Sequence, residues 1–294
     1  MVVAARRMPE LPEVESVRRG LAEAGIRSPI TKVWRSKLDL RVGEHWQRKH
    51  ENLRCLVGAT PGELDRRGKY LLWHMSDRRG APLVLLIHLG MSGRCGIALP
   101  KQPKVDHTHL VIDFEEGRQL RFVDPRRFGG LRAGPDVLTS EPLASLGPEP
   151  LQPDFDGRML AAGLGHSTRA LRDGLLDQTA VAGVGNIYAI EALFEARLHP
   201  LLECARLQPS AWQRLALALR AALLRGIDNG GTTLKDFRNV TGEVGRNQDD
   251  LRVYGRGGQP CPACGAALRE FSHQGRGGVF CPRCQAKPRA RKVG

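Results

Sequence analysis

Two pairs of cysteines carry the most explicit chemistry in this sequence. Cys261 and Cys264 form a C-x2-C knuckle, sixteen residues intervene, and Cys281 and Cys284 repeat it. That is the spacing at which four thiolates close a tetrahedron around zinc. Pro262, Gly265 and Pro282 suit the tight turns that each pair needs. With sulfur at all four positions no place is left for water, so one structural Zn(2+) is predicted, and catalysis must lie elsewhere. From Arg246 to Gly294 ten Lys/Arg accompany three Asp/Glu. A zinc-stapled hairpin pressed on nucleic-acid phosphates is therefore expected here. Gly183-Val184-Gly185-Asn186 precedes a helical stretch, where glycines let backbone N–H groups approach an anion, or simply allow tight helix packing. Glu10, Glu13 and Glu15 stand in or just before the first turn of another helix, where carboxylates complement the helix dipole.

These groups need elements to position them. Leu11, Val14, Val17 and Leu21 recur at three or four, with Pro12 early and Gly25 beyond, which predicts one amphipathic helix. Segments 31–41, 53–59, 69–75, 83–89, 109–114 and 119–123 are short, rich in Val, Ile and Leu, and bounded by turn residues, so they read as strands of a β-sandwich or barrel. A Pro-rich stretch over 141–155 reads as a linker of limited flexibility. Helical periodicity follows at Leu171, Leu175 and Leu176, at Ile187, Ile190, Leu193 and Phe194, and over 210–226. Residues 239–250 carry no periodicity and read as a mobile loop. No repeats are found. The 294 residues leave room for two or three domains, and the net charge of +14 makes nucleic acid the first partner to consider. No run approaches the roughly 18 apolar residues of a membrane helix, and MVVAARR lacks a signal-peptide core, so a cytoplasmic protein without a membrane partner is expected. Cys55, Cys95 and Cys204 are scattered, which suits a reducing compartment.

MPELPEVE (8–15), RRGKYLL (66–72), HLGMSG (88–93), DPRRFGG (124–130), LLDQ with GVGNIYA (175–189), GGTTLKDF (230–237), VYGRGG (253–258) and the paired CxxC together resemble, in this order, the bacterial formamidopyrimidine-DNA glycosylases. The resemblance covers nearly the whole chain from Met8. It implies a multidomain α+β fold: an N-terminal extension over 1–8 absent from the active protein, a catalytic β-sandwich with leading helix over 9–140, the linker, a helix-two-turn-helix domain over 156–245, and a zinc finger with basic tail over 246–294. It implies a monomer acting on double-stranded DNA with oxidised bases, as a bifunctional glycosylase and abasic-site lyase for 8-oxoguanine and formamidopyrimidines that finishes by β,δ-elimination.

The same resemblance assigns roles. Pro9 is the nucleophile, a secondary amine that is partly neutral near pH 7, as a surface lysine is not. Glu10 protonates the sugar ring oxygen, with Glu13 in support. Lys69 lies beside the lesion, though alone it reads as a solvated strand-end lysine. Met91, Arg126 and Phe128 fill the hole left by the extruded base, though Met91 and Phe128 alone read as core positions. His88, Asn186 and Arg276 hold phosphates, and Glu191 lies near the lesion.

Three positions depart from the family pattern. Arg246-Asn247 replaces a Tyr-Phe pair in the loop that closes over the extruded base, predicting a polar cover. Gly277, Gly278 and Val279 occupy hairpin positions where a threonine is common, predicting a looser phosphate contact. The seven residues before Met8 would make the Pro9 nitrogen a tertiary amide. Two rival readings follow: an endonuclease VIII-like enzyme for oxidised pyrimidines, and a non-catalytic lesion-binding protein if Pro9 is not N-terminal.

Overall fold

The structure, a computed structural model, describes residues 8–40, 53–233, 240, 242 and 244–286. The described residues divide into two compact units, one within 8–146 and 226–248, the other within 147–225 and 249–286. The basic tail beyond Ala286 and the extension before Met8 lie outside the described residues.

The first unit opens with α1 (Leu11–Glu23), capped by Glu10 and Glu13 in a reciprocal capping box and ended at Gly25, whose φ of +64° a glycine adopts without strain. Its apolar stripe of Leu11, Val14, Val17 and Leu21 is buried. Strands β1 (Ile30–Arg35), β6 (Thr108–Phe114), β7 (Gln119–Val123) and β5 (Arg94–Ala98) form one antiparallel sheet in that order. The other takes β2 (Thr60–Arg67), β3 (Tyr70–Ser76), β4 (Pro82–His88) and β8 (Gly130–Gly134). Inward residues of both sheets, among them Trp73, Leu85, Ile112 and Phe122, share one core with α1, as a sandwich requires. The far face of the second sheet is covered too, by Val137 and Leu143 on Leu72, Val84 and Leu86. This explains the unbroken apolar run of β4.

One expectation is corrected. Segment 53–59 is no strand: Leu53–Leu56 makes a 3₁₀ turn that buries Leu53 and Leu56 one turn apart, and Gly58 ends it at φ +84°. The stretch 141–155, expected as a linker of limited flexibility, is tethered on both sides: Leu143 is in a core cluster, while Gly147 N–H donates to Gln178 O and Pro148 O accepts from Ala182 N–H. The described residues of 226–248 group with the sandwich unit.

The second unit holds α2 (Gly157–Leu164), capped by Asp156, then α3 (Leu171–Leu175) and α4 (Asn186–Glu195). It also holds most of α5 (Pro209–Asp228) and a hairpin of β9 (Arg269–His273) and β10 (Arg276–Phe280). No helix among the described residues is long and apolar enough to cross a membrane.

Candidate active site

Pro9 is half-buried and leads into Glu10 and Glu13, both nearly inaccessible at 4% and 2% exposure. Glu13 Oε2 accepts from Glu10 N–H at 2.8 Å and its Oε1 accepts from Thr232 N–H at 2.6 Å. One carboxylate thus fixes the residue after the proline and the GGTT segment at once. That segment is stitched in turn to 245–248. Asn247 Nδ2 donates to Thr232 Oγ1 at 2.7 Å, Thr233 N–H to Gln248 Oε1 at 3.0 Å, and Gly245 N–H to Thr233 Oγ1 at 2.9 Å. A Cβ at Gly245 would fall 2.0 Å from Gly231 O, so only glycine fits. Asn247 is buried at 3% exposure, which corrects the reading of it as a polar cover over a base. Its amide is a brace for Thr232. The mobile loop expected over 239–250 lies partly outside the described residues, and its described end, from Val244 onward, is held by these bonds. Glu15 takes no part in this chain. Burial would raise its pKa, but Arg18, Arg66 and Arg19 outweigh that and hold it low.

Lys69 follows Gly68 (φ +56°) in the β2–β3 turn and is 6% exposed, so it is no solvated strand-end lysine. Tyr70 pairs with His88 across β3 and β4, their rings 4.8 Å apart. Burial first, and then the charge of Lys69, push the His88 pKa down to about 4, so the imidazole is neutral at pH 7. It can still hydrogen-bond a phosphate, but adds no charge.

Met91, Arg126 and Phe128, expected as wedges, come from two loops locked together. Asp124, wholly buried, accepts from Ser92 Oγ–H at 2.5 Å and from Gly129 N–H at 2.7 Å, while Ser92 Oγ accepts from Arg126 N–H at 3.1 Å. Gly90 (φ +61°) passes so close that a Cβ there would meet the Phe128 carbonyl carbon at 2.3 Å. Met91 and Phe128 are only partly buried, not core, and the Arg126 guanidinium lies 5.0 Å from the Phe128 ring centroid.

In the second unit Gln178 shapes the glycine turn before α4, accepting from Gly183 N–H and donating to Val184 O. Asn186 Nδ2 donates to Gly277 O at 2.9 Å, while its Oδ1 is buried with no hydrogen-bond partner. A Cβ at Gly278 would strike the Phe271 ring at 2.6 Å and Ile190 at 2.8 Å. The Gly277-Gly278-Val279 run therefore lets the hairpin pack closely against α4. Arg276, exposed, pairs with His273 across the hairpin. Beneath it Arg172 Nη2 donates to His273 O, and Asp173 pairs with both Arg172 and His273 at 2.8 Å. Glu191 is committed to backbone: its carboxylate accepts from Arg252, Val253 and Tyr254 N–H at 2.8–3.0 Å, anchoring the VYG segment to α4.

Cys261, Cys264, Cys281 and Cys284 place their sulfurs within 4.8 Å of one another. At Zn–S bonds near 2.3 Å a tetrahedron has edges of about 3.8 Å, and the pairs Cys261–Cys284 and Cys264–Cys281 stand at 3.9 and 3.5 Å, so the donors fit the ion. Gln285 fastens this finger to the helices of its unit, donating to Leu198 O and accepting from Cys281 N–H.

Comparison with known proteins agrees with this geometry. Residues 8–131 match the formamidopyrimidine-DNA glycosylase N-terminal domain, 146–238 the H2TH domain of the same enzymes, and 258–287 a zinc finger found in FPG and IleRS. The chain belongs to the formamidopyrimidine-DNA glycosylase family. The enzyme of that name from Teredinibacter turnerae is 44% identical over 264 residues, 90% of this chain and 94% of that one. Its Symbiobacterium thermophilum counterpart is 40% identical over 90% of this chain and 85% of its own. The MutM (Fpg) protein of Thermus thermophilus superposes with a TM-score of 0.81 at 40% identity, covering 95% of this chain and all of that one. A Lactococcus lactis FPG mutant bound to Fapy-dG-containing DNA gives 0.83 at 34%, with the same coverage.

The sequence reading finds the zinc ligands, while several hydrogen-bonding braces become visible only in the fold. Thr232, Asn247, Asp124, Arg172 and Gln285 each make hydrogen bonds to partners at least fifteen residues away. Gln178 braces its own neighbourhood, and it, Asp124 and Thr232 fall inside the LLDQ, DPRRFGG and GGTTLKDF motifs without their partners being legible there.

Proposed function

We propose that this chain is a base-excision repair enzyme, a DNA glycosylase and abasic-site lyase for oxidised purines, with Pro9 as its nucleophile once the residues before it are removed. The observation that carries the reading is the Glu13 clamp on Glu10 N–H, which holds Pro9 and Glu10 at one helix N-terminus in a chain of this family. The Pro9 nitrogen attacks C1′ of the deoxyribose and the base departs with a proton. Glu10 protonates the ring oxygen as the sugar opens, leaving an iminium on Pro9. The iminium acidifies C2′–H, and loss of that proton expels the 3′ phosphate; loss of a second proton, from C4′, expels the 5′ phosphate, and water then hydrolyses the iminium to free the Pro9 amine. Met91, Arg126 and Phe128 fill the vacated stack. Lys69, Asn186 and Arg276 supply donors for phosphates, and neutral His88 a hydrogen bond. Zinc, bound by its four cysteines, maintains the hairpin that carries Arg276. The enzyme works as a cytoplasmic monomer in this reading, supported by four reduced thiolates and by a +14 charge that opposes self-association.

Borohydride trapping tests it. Protein beginning at Pro9 should be captured covalently on 8-oxoguanine DNA, and protein forced to retain residues 1–8 should not. Robust capture of the longer form, with the adduct on Lys69, would overturn the assignment of Pro9. No capture by either form would support a non-catalytic lesion binder.

A further inference from the structure

The outer face of the β1-β6-β7-β5 sheet carries a second cationic site. Lys32 lies across from Asp113 and Trp34 from Val111; Asp113 in turn faces Gln119, and Val111 faces Arg121. Alternation puts all six on the side away from the core. The segment 99–104 between β5 and β6 arches over them and encloses a cavity of about 350 Å³. Arg121 builds that arch. Its guanidinium, nearly buried, donates to Leu99 O at 3.2 Å, Gln102 O at 2.6 Å and Pro103 O at 2.8 Å, and is held from behind by Gln119 Oε1. A surface segment fixed in this way, with Pro100 and Pro103, has little freedom left to lose on binding.

The arch delivers charge to an aromatic ring. Lys101 and Lys104 converge with Lys32 around Trp34, and Lys104 Nζ sits 3.8 Å from its ring centroid. Asp113 is the only carboxylate in the lining, and it already accepts from Gln119 Nε2 at 2.5 Å. No ion pair among the described residues joins a carboxylate to the three lysines, and the lining sets three lysines and Arg121 against the single carboxylate of Asp113. The mechanism above uses none of these groups.

We propose that this pocket is a second nucleic-acid contact that takes one unpaired nucleotide of a single DNA strand, its phosphates on Lys32, Lys101 and Lys104 and its base on the Trp34 ring face that Lys104 now covers. A duplex backbone could engage the lysines, but its stacked bases could not reach the ring, so Trp34 is what selects a single strand. The cavity volume is of the order that small ligands occupy.

A labelled short oligothymidylate, which contains no oxidised purine, tests this on the full chain by anisotropy at several salt concentrations. Trp34→Ala should lower its affinity about five- to tenfold, Trp34→Phe should restore most of it, and neither should change excision from lesion duplex. Lys101→Gln with Lys104→Gln should flatten the log-log salt slope by about 1.4, at about 0.7 per phosphate, whereas Arg79→Gln with Arg214→Gln, two exposed arginines elsewhere, should leave it unchanged. Native affinity in Trp34→Ala would overturn the proposal. So would an equal loss in the arginine control, or an equal loss of duplex binding.

Discussion

Glu13 and Thr232 are 219 residues apart in sequence and joined by a 2.6 Å hydrogen bond, through the carboxylate that also holds the amide after Pro9. Glu13→Gln keeps the shape but turns one of two acceptors into a donor facing an N–H. The mismatch should destabilise the protein by about 1–3 kcal/mol. Trapping on lesion DNA should slow by about tenfold or more, because Glu10 is no longer fixed. Native trapping kinetics in this variant would show that the clamp does not position the nucleophile.

Arg126 should read the base opposite the lesion. Guanidinium offers donors only, so it suits the O2 and N3 acceptors of cytosine and not the N6 amino group of adenine. A bidentate contact gives about 1–3 kcal/mol of discrimination, so excision opposite adenine should be slower, up to roughly a hundredfold. Arg126→Ala should erase most of that ratio, and Asp124→Asn should reduce it, since Asp124 binds the two wedge loops together. Equal rates opposite cytosine and adenine in the unmutated protein would rule out this role.

His88 makes stability depend on pH. Its folded pKa of about 4 lies below the ordinary value of 6.5, so between those limits the unfolded chain binds more protons. The contribution is therefore complete above about pH 6.5 and declines as pH falls to about 4. Thermal unfolding at pH 5 and 7.5 should show a smaller acid decrement in His88→Gln than in the parent. A larger decrement in the variant would contradict the assignment of a neutral imidazole.

Removing zinc with a chelator, or replacing Cys261 by Ser, should lower metal content and weaken DNA binding, while circular dichroism of the β-sandwich persists. Arg276→Ala in the metal-bound protein should flatten the salt dependence of duplex binding by about one. A metal-free protein that cleaves lesion DNA with native affinity and rate would separate the finger from DNA recognition.

Legibility in the sequence follows where the physical constraint is local. The interior strands β3, β4, β6 and β7 show themselves because they are flanked on both sides and lean on apolar residues. The three strands missed, β2, β5 and β8, are all sheet edges, where Pro61, Gly96 and Gly130 are tolerated because one side makes no ladder. Helix α2 is obscured by Gly157 and Gly163. At the candidate site, cysteine spacing announces its own chemistry. The buried acceptors do not: Asp124 sits in a quoted motif yet its value lies in Ser92 and Gly129, and Glu191 serves three amides more than sixty residues away. Such partnerships are properties of the folded chain alone.

Those same edges bear on how the protein behaves when crowded. An exposed strand is an open invitation to a second copy, yet β2 carries Pro61 and a register break before Leu64, β1 has a bulge between Ile30 and Lys32, and β5 and β8 are short and contain glycine. None offers a long, flat ladder to a neighbour. The irregularities that hide these strands from a reader of the sequence also guard the sandwich against edge-to-edge aggregation when many copies gather on one stretch of DNA.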